Sequence, residues 1–283
     1  MTRHELLRHL HRVVEPRNYL EIGVRKGRSL ALSRVPSIAV DPDFMITSQI
    51  RCDVQLVRAT SDDFFARSDP LHHVRGGRNP LRNLRRGRPL LGPLTGPPRL
   101  DLAFIDGMHL FEYALRDFMN VERHGDWWSV IVVDDILPRN VEEAARDRQT
   151  GDWTGDVFKI IAVLRTLRPD LVCLPIDTEP TGTMIILGAD PRSRVLARNY
   201  DAIVAEHVTN DPQQVPSSIL DRAGALPPER VVASPLWRDL VRGRRRRVPR
   251  ERGLRRIRAH VAALGAHDAT RGDGSGTASG SSR

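Results

Sequence analysis

Along the first 190 residues, short apolar runs that end in an acid or a glycine alternate with segments whose apolar positions recur at helical spacing. Leu6, Leu7, Leu10, Val13 and Val14 form one stripe over residues 2–14, which Pro16 closes, and predict a helix. NYLEIGV (18–24) predicts a first strand and KGRSLALSRV (26–35) a helix after it. SIAVDPD (37–43) and VQLVRA (54–59) predict two more strands, and SDDFFAR (61–67) opens with helix-cap chemistry. LDLAFID (100–106) predicts a fourth strand, residues 110–123 a helix, and SVIVVDD (129–135) a fifth strand. Residues 140–148 and 156–168 have helical character. LVCLPI (171–176) and TMIILG (183–188) pair as a closing hairpin, and 192–207 suits another helix. Strands alternating with helices need a mainly parallel sheet covered on both faces. The expected fold is α/β: a doubly wound, mainly parallel seven-stranded sheet with a C-terminal hairpin in it.

The rhythm breaks at residues 68–99, which hold six prolines and few apolar groups and read as an exposed insertion, with a lid role or disorder as its two readings. The expected organisation is an N-terminal helix (1–17), a catalytic domain (18–190) interrupted by that insertion, a helical extension (191–237), and an Arg-rich segment with a disordered low-complexity tail (238–283).

Charge changes this picture in one respect. The 283 residues carry a net +9, yet residues 238–258 alone hold eleven arginines against two acids, and residues 67–99 hold eight against one. Without these two segments the chain is acidic, so they read as basic attachments. Neither contains Phe, Tyr or Trp, which disfavours nucleic acid as a partner because single strands are held by stacking on aromatic rings. Cys52 and Cys173 have no ligand spacing and fit buried thiols in a reducing compartment. The charged N-terminus lacks an apolar signal core and no run approaches a membrane span. A cytoplasmic protein without a membrane span is expected, and homo-oligomerisation is left open.

Ligands of open α/β sheets bind beyond the carboxyl ends of the strands, at the switch point of strand order. At that edge EIGVRKGRS places Gly23 in a tight turn and Gly27 and Ser29 at the start of the next helix. Asp41, ending the second strand, suits two ribose hydroxyls, and Ser61 and Asp62 follow the third strand where an adenine edge would lie. Arg25 stands where a dinucleotide fingerprint needs its second glycine. A nucleoside without phosphates fits better, and S-adenosylmethionine is the expected cofactor, with Glu21 near its ammonium group.

IDGMHLFEY (105–113) sets Asp106 and His109 at the mouth of the fourth strand, and Asp134 and Asp135 end the fifth. Neighbouring strands lie about 4.8 Å apart, so these carboxylates converge and repel unless a cation joins them. Oxygen ligands suit Mg²⁺ or another hard divalent ion, held by Asp106, Asp134 and Asp135. His109 is then placed as general base for a substrate hydroxyl. The bland alternatives are helix capping by the acid pair and packing by the histidine. Trp153 is a candidate wall for the acceptor.

YLEIGVRKGRSL, IAVDPD, LAFIDGMHLFEYALRDF and VIVVDDI together resemble the motifs of class I S-adenosylmethionine-dependent methyltransferases, over about residues 15–190. The resemblance is to the metal-dependent O-methyltransferases that act on sugar hydroxyls of macrolides and related natural products. It implies a Rossmann-like methyltransferase fold, a small-molecule hydroxyl acceptor, metal ligation by Asp106, Asp134 and Asp135, a base role for His109, and cofactor contacts from Glu21, Gly23 and Asp41. The alternatives are a nucleic-acid methyltransferase guided by the arginines and a non-catalytic protein that binds the cofactor.

Overall fold

The computed structural model describes residues 1–75 and 98–269. Most of the basic insertion, with its lid reading, and the tail expected to be disordered fall outside the described residues. Seven strands form one sheet: β1 (Tyr19–Ile22), β2 (Ser37–Val40), β3 (Val54–Val57), β4 (Leu102–Ile105), β5 (Val130–Asp134), β6 (Val172–Ile176) and β7 (Thr183–Leu187). Their order is β3-β2-β1-β4-β5-β7-β6. All pairs are parallel except those of β7, which runs antiparallel to β5 and β6. This is the doubly wound sheet with a C-terminal hairpin that the sequence predicts. Strand order reverses between β1 and β4, so a ligand crevice is expected there.

Among the described residues the α-helices are α1 (Arg3–Val13), α2 (Ser61–Phe65), α3 (Phe111–Arg123), α4 (Lys159–Leu167), α5 (Val195–His207), α6 (Ser217–Leu220), α7 (Pro228–Val232), α8 (Leu236–Arg245) and α9 (Arg250–Ala269). Side chains alternate across the strands. Leu20, Ile22, Ala103, Ile105, Ile131 and Val133 face a core built with α3 and α4. Tyr19, Leu102, Phe104, Val130 and Val132 face a second core closed by α1, α7, α8 and α9. Each fully buried Leu, Ile or Phe contributes about 1.5–3 kcal/mol. α1 is fixed at its start by a capping box, with Thr2 accepting from the Glu5 main chain and Glu5 from that of Thr2.

Three expectations need correction. The helix expected over 26–35 shrinks to one 3₁₀ turn, Leu30–Leu32, because Arg25 (φ 47°) and Gly27 (φ 73°) hold left-handed conformations that a helix cannot continue through. Residues 140–148 form turns. There the Asn140 side chain accepts from the Glu143 main chain and the Glu143 carboxylate from that of Arg139, in place of helical bonds. The Arg-rich segment is not an attachment: it forms α8 and α9, whose Leu236, Trp237, Leu240, Val241, Leu254 and Ile257 are core residues.

Candidate active site

The turn after β1 is built by close approach. Gly23 has φ 84°, and a Cβ on it would lie 1.8 Å from the main-chain oxygen of Asp106. Parallel register sets Ile22 beside Ile105 and so brings this turn against the one that follows β4. Asp41 braces the same turn. Its Oδ2 accepts from the main-chain nitrogens of Val24 and Arg25, both at 2.8 Å, and its Oδ1 from that of Asp43 at 2.7 Å. Glu21 lies beneath the turn, fully buried, accepting from Ser29 Oγ at 2.6 Å and from the Tyr19 hydroxyl at 2.7 Å. Burial pushes its carboxyl up to about 8, against the pull of the two hydroxyls. Glu21 and Ser29 thus meet each other. Gly27 packs against Ile46 and Ile50. Ser61 and Asp62 head α2, and Asp62 pairs with Arg116 of α3 at 2.9 Å. Ser61 bonds to the buried Asp117, whose carboxyl burial raises to about 7.

The second group lies one strand over. Polar atoms of Asp106, His109 and Asp135 all lie within 4.8 Å of one another. His109 Nε2 is 3.5 Å from Asp106 Oδ1, and its Nδ1 is 3.1 Å from Asp135 Oδ2. Nδ1 is also 2.7 Å from the Trp153 carbonyl, which can only accept. The Nδ1 proton therefore points at Trp153, the contact with Asp135 Oδ2 is electrostatic, and that buried oxygen has no hydrogen-bond partner among the described residues. Thr181 Oγ1 donates to Asp135 Oδ1 at 2.6 Å. Burial works against the imidazolium, but Asp106 and Asp135 outweigh it and raise His109 to about 9. Burial raises Asp135 to about 6 against the pull of His109, and holds Asp134 well above the usual carboxylate range with help from Asp135 and Asp106.

Asp134 is placed differently from its two expected partners. Its Oδ2 accepts from Arg3 Nη1 of α1, and its Oδ1 is buried without a hydrogen-bond partner among the described residues. Arg3 also stands 3.9 Å from Asp135 Oδ1 and 4.0 Å from Asp106 Oδ2. Nothing in the spacing of α1 announces this, since an amphipathic stripe does not say where a flanking arginine reaches. Trp153 stacks on His109, with ring centroids 5.0 Å apart and planes 8° from parallel. Gly155, with φ 56°, lets the chain pass the His109 carbonyl, which a Cβ would approach to 1.5 Å. Asp156 Oδ1 accepts from the Phe111 main chain at 2.8 Å, so it caps α3 and not its own helix. Arg146 and Lys159 neutralise its other oxygen. The segment 153–156 therefore holds the His109 loop from three sides, a role that a Trp-Thr-Gly-Asp string does not declare.

Neither a family model nor a curated protein matches the chain. Solved structures do resemble it. An O-methyltransferase from Bacillus cereus in complex with SAH is 13% identical over 65% of this chain and 79% of its own, with a TM-score of 0.42. The O-methyltransferase TomG from Streptomyces achromogenes, involved in tomaymycin synthesis and in complex with SAM, is 16% identical over 65% of this chain and 78% of its own, with a TM-score of 0.42. Among the described residues no helix is long and apolar enough to cross a membrane.

Proposed function

We propose that this chain is an S-adenosylmethionine-dependent O-methyltransferase that uses a divalent cation, Mg²⁺ or a similar ion, to methylate a hydroxyl of a small molecule such as a natural-product sugar or diol, in the cytoplasm. One observation carries the reading: the glycine turn at the switch point touches the main chain of Asp106, whose side chain gathers with His109 and Asp135. A cofactor turn and an acid–imidazole cluster on one contiguous edge is what methyl transfer to a hydroxyl needs, since much of the rate comes from holding two reactants together.

The donor set fits both groups. Asp106 and Asp135 offer carboxylate oxygens, and the orphaned buried oxygens Asp135 Oδ2 and Asp134 Oδ1 are stabilised by a partner of positive charge. S-adenosylmethionine would supply an activated methyl group, and the cation would make a neighbouring substrate hydroxyl more acidic. The residues do the rest. Trp153 holds the Nδ1 proton of His109, which leaves Nε2 as the nitrogen that takes the hydroxyl proton. Two carboxylates now hold His109 as imidazolium at neutral pH; neutralising them returns it toward the range where a base is effective. The Trp153 ring covers one face of the imidazole and keeps water from it. Asp41 sets the turn on which the cofactor would rest.

Calorimetry with S-adenosylmethionine should show binding that Asp41→Ala weakens; no binding to the native chain ends the cofactor reading. In methyl-transfer assays over a panel of diols and sugars, a chelator should abolish turnover. His109→Gln should lower kcat by about 10²–10⁴-fold while cofactor binding persists. Full activity of that variant would remove His109 from the chemistry.

A further inference from the structure

One nitrogen of Arg3 lies within 4.0 Å of a carboxylate oxygen of Asp106, Asp134 and Asp135. The three acids raise the affinity of Arg3 for its proton, with Asp134 the largest influence, so the guanidinium is a permanent positive charge in this place. A divalent ion held by Asp106 and Asp135 would sit about 2.1 Å from their oxygens. It would then be a few ångströms from the guanidinium in a partly desolvated spot, where like charges repel strongly. The ion and the guanidinium would compete for the same carboxylates.

We infer that Arg3 is an internal counter-ion that a divalent cation must displace, so that the N-terminal helix sets the metal affinity of the site. This rests on the reading of Asp106 and Asp135 as a cation site. The exchange is a side-chain movement. The backbone at the start of α1 is tied down: Arg3 N donates to the Glu179 carbonyl at 3.4 Å, Glu179 N to the Met1 carbonyl at 3.0 Å, and the capping box closes the first turn. The Arg3 side chain, in contrast, is 29% exposed and has a way out to solvent. Asp134 is 1% exposed, so when Arg3 leaves, an unpaired buried carboxylate remains beside its neighbours. That carboxylate favours entry of the ion. Without a cation the arginine keeps the three acids from repelling one another. With one, it is released.

The test is Mn²⁺ binding to the full chain, read by calorimetry and by the resonance of free Mn²⁺, for wild type, Arg3→Ala, Arg3→Gln and Asp135→Ala. Arg3→Ala should bind Mn²⁺ about tenfold more tightly or better. Arg3→Gln, which keeps the length of the side chain without its charge, should tighten binding as well and carries the test if the alanine variant does not fold. Asp135→Ala should lose binding. Equal affinity in wild type and both Arg3 variants, with Asp135→Ala defective, overturns the competition and leaves the cation site standing. Absence of Mn²⁺ binding in every variant overturns both. S-adenosylmethionine binding, measured on the same samples, judges the methyltransferase reading separately.

Discussion

At the scale of single residues, Glu21 shows how burial decides a role. The residue type suggests a partner for a cofactor's ammonium group, yet its carboxyl has no exposed surface and is shared between Tyr19 and Ser29. With its pKa pushed up to about 8, it is protonated in the folded chain at neutral pH and ionised in the unfolded one. Folding therefore takes up a proton between about 4.5 and 8. Its stabilising effect is full below about 4.5 and is lost as pH rises through 8, by up to about 1.4 kcal/mol per pH unit. Glu21→Gln keeps the shape without the titration. Urea unfolding at pH 5, 7 and 9 should show the variant gaining on wild type as pH rises. Parallel curves would mean the carboxyl is ionised in the fold. Arg3 carries the opposite lesson. Its chemistry lies in where a long side chain ends up, and only the sheet and α1 together determine that.

At the scale of elements, the turns after β1 and β4 form one unit. Gly23 cannot bear a side chain without pushing on the Asp106 carbonyl, because the added carbon would sit 1.8 Å from it, far inside contact. Gly23→Ala should therefore disturb both turns at once, weakening S-adenosylmethionine binding and Mn²⁺ binding together, with a stability loss of about 1–3 kcal/mol for the strained backbone. Loss of only one of the two would separate the turns. The unit was legible in the sequence because each strand is a run of apolar residues cut off by an acid or a glycine. The strand ends, and thus Gly23, Asp41, Asp106, Asp134 and Asp135, could be placed from pattern alone. Two of the expected helices were not. The helix expected after Gly27 yields to a turn braced by Asp41, and the helix expected at 140–148 yields to bonds from Asn140 and Glu143. At 140–148 the Asn140 side chain satisfies a main-chain group that periodicity alone would assign to a helix, and at 26–35 the left-handed Arg25 and Gly27 stop a helix at its start.

At the scale of the molecule, the arginines of α8 and α9 mark the outer side of a structural layer. Their count hides an apolar stripe. Leu236, Trp237, Leu240 and Val241 stand at helical spacing, interleaved with Arg238 and Arg242, and close the second core over the sheet. Trp127 packs where Gly243 and Gly253 leave room, since a Cβ on either would lie 2.4 or 2.5 Å from its ring, and it donates to the Val248 carbonyl at 2.9 Å. Arg244 is buried among the carbonyls of Val14 and Glu15 and beside Asp101, 3.3 Å away, so even one of the arginines belongs to the interior. The layer also backs α1, the helix that carries Arg3 to the acids. Trp237→Ala should cost about 3–5 kcal/mol in urea unfolding, as for other large buried aromatics, whereas Arg238→Gln and Arg242→Gln on the exposed face should each stay within about 0.5 kcal/mol. A chain ended at residue 235 should fail to give a cooperative unfolding transition, since the core face of α1 and β1 would be left in water. A stable, cooperatively unfolding truncation that still bound S-adenosylmethionine would show that the arginine helices are the appendage their charge suggests.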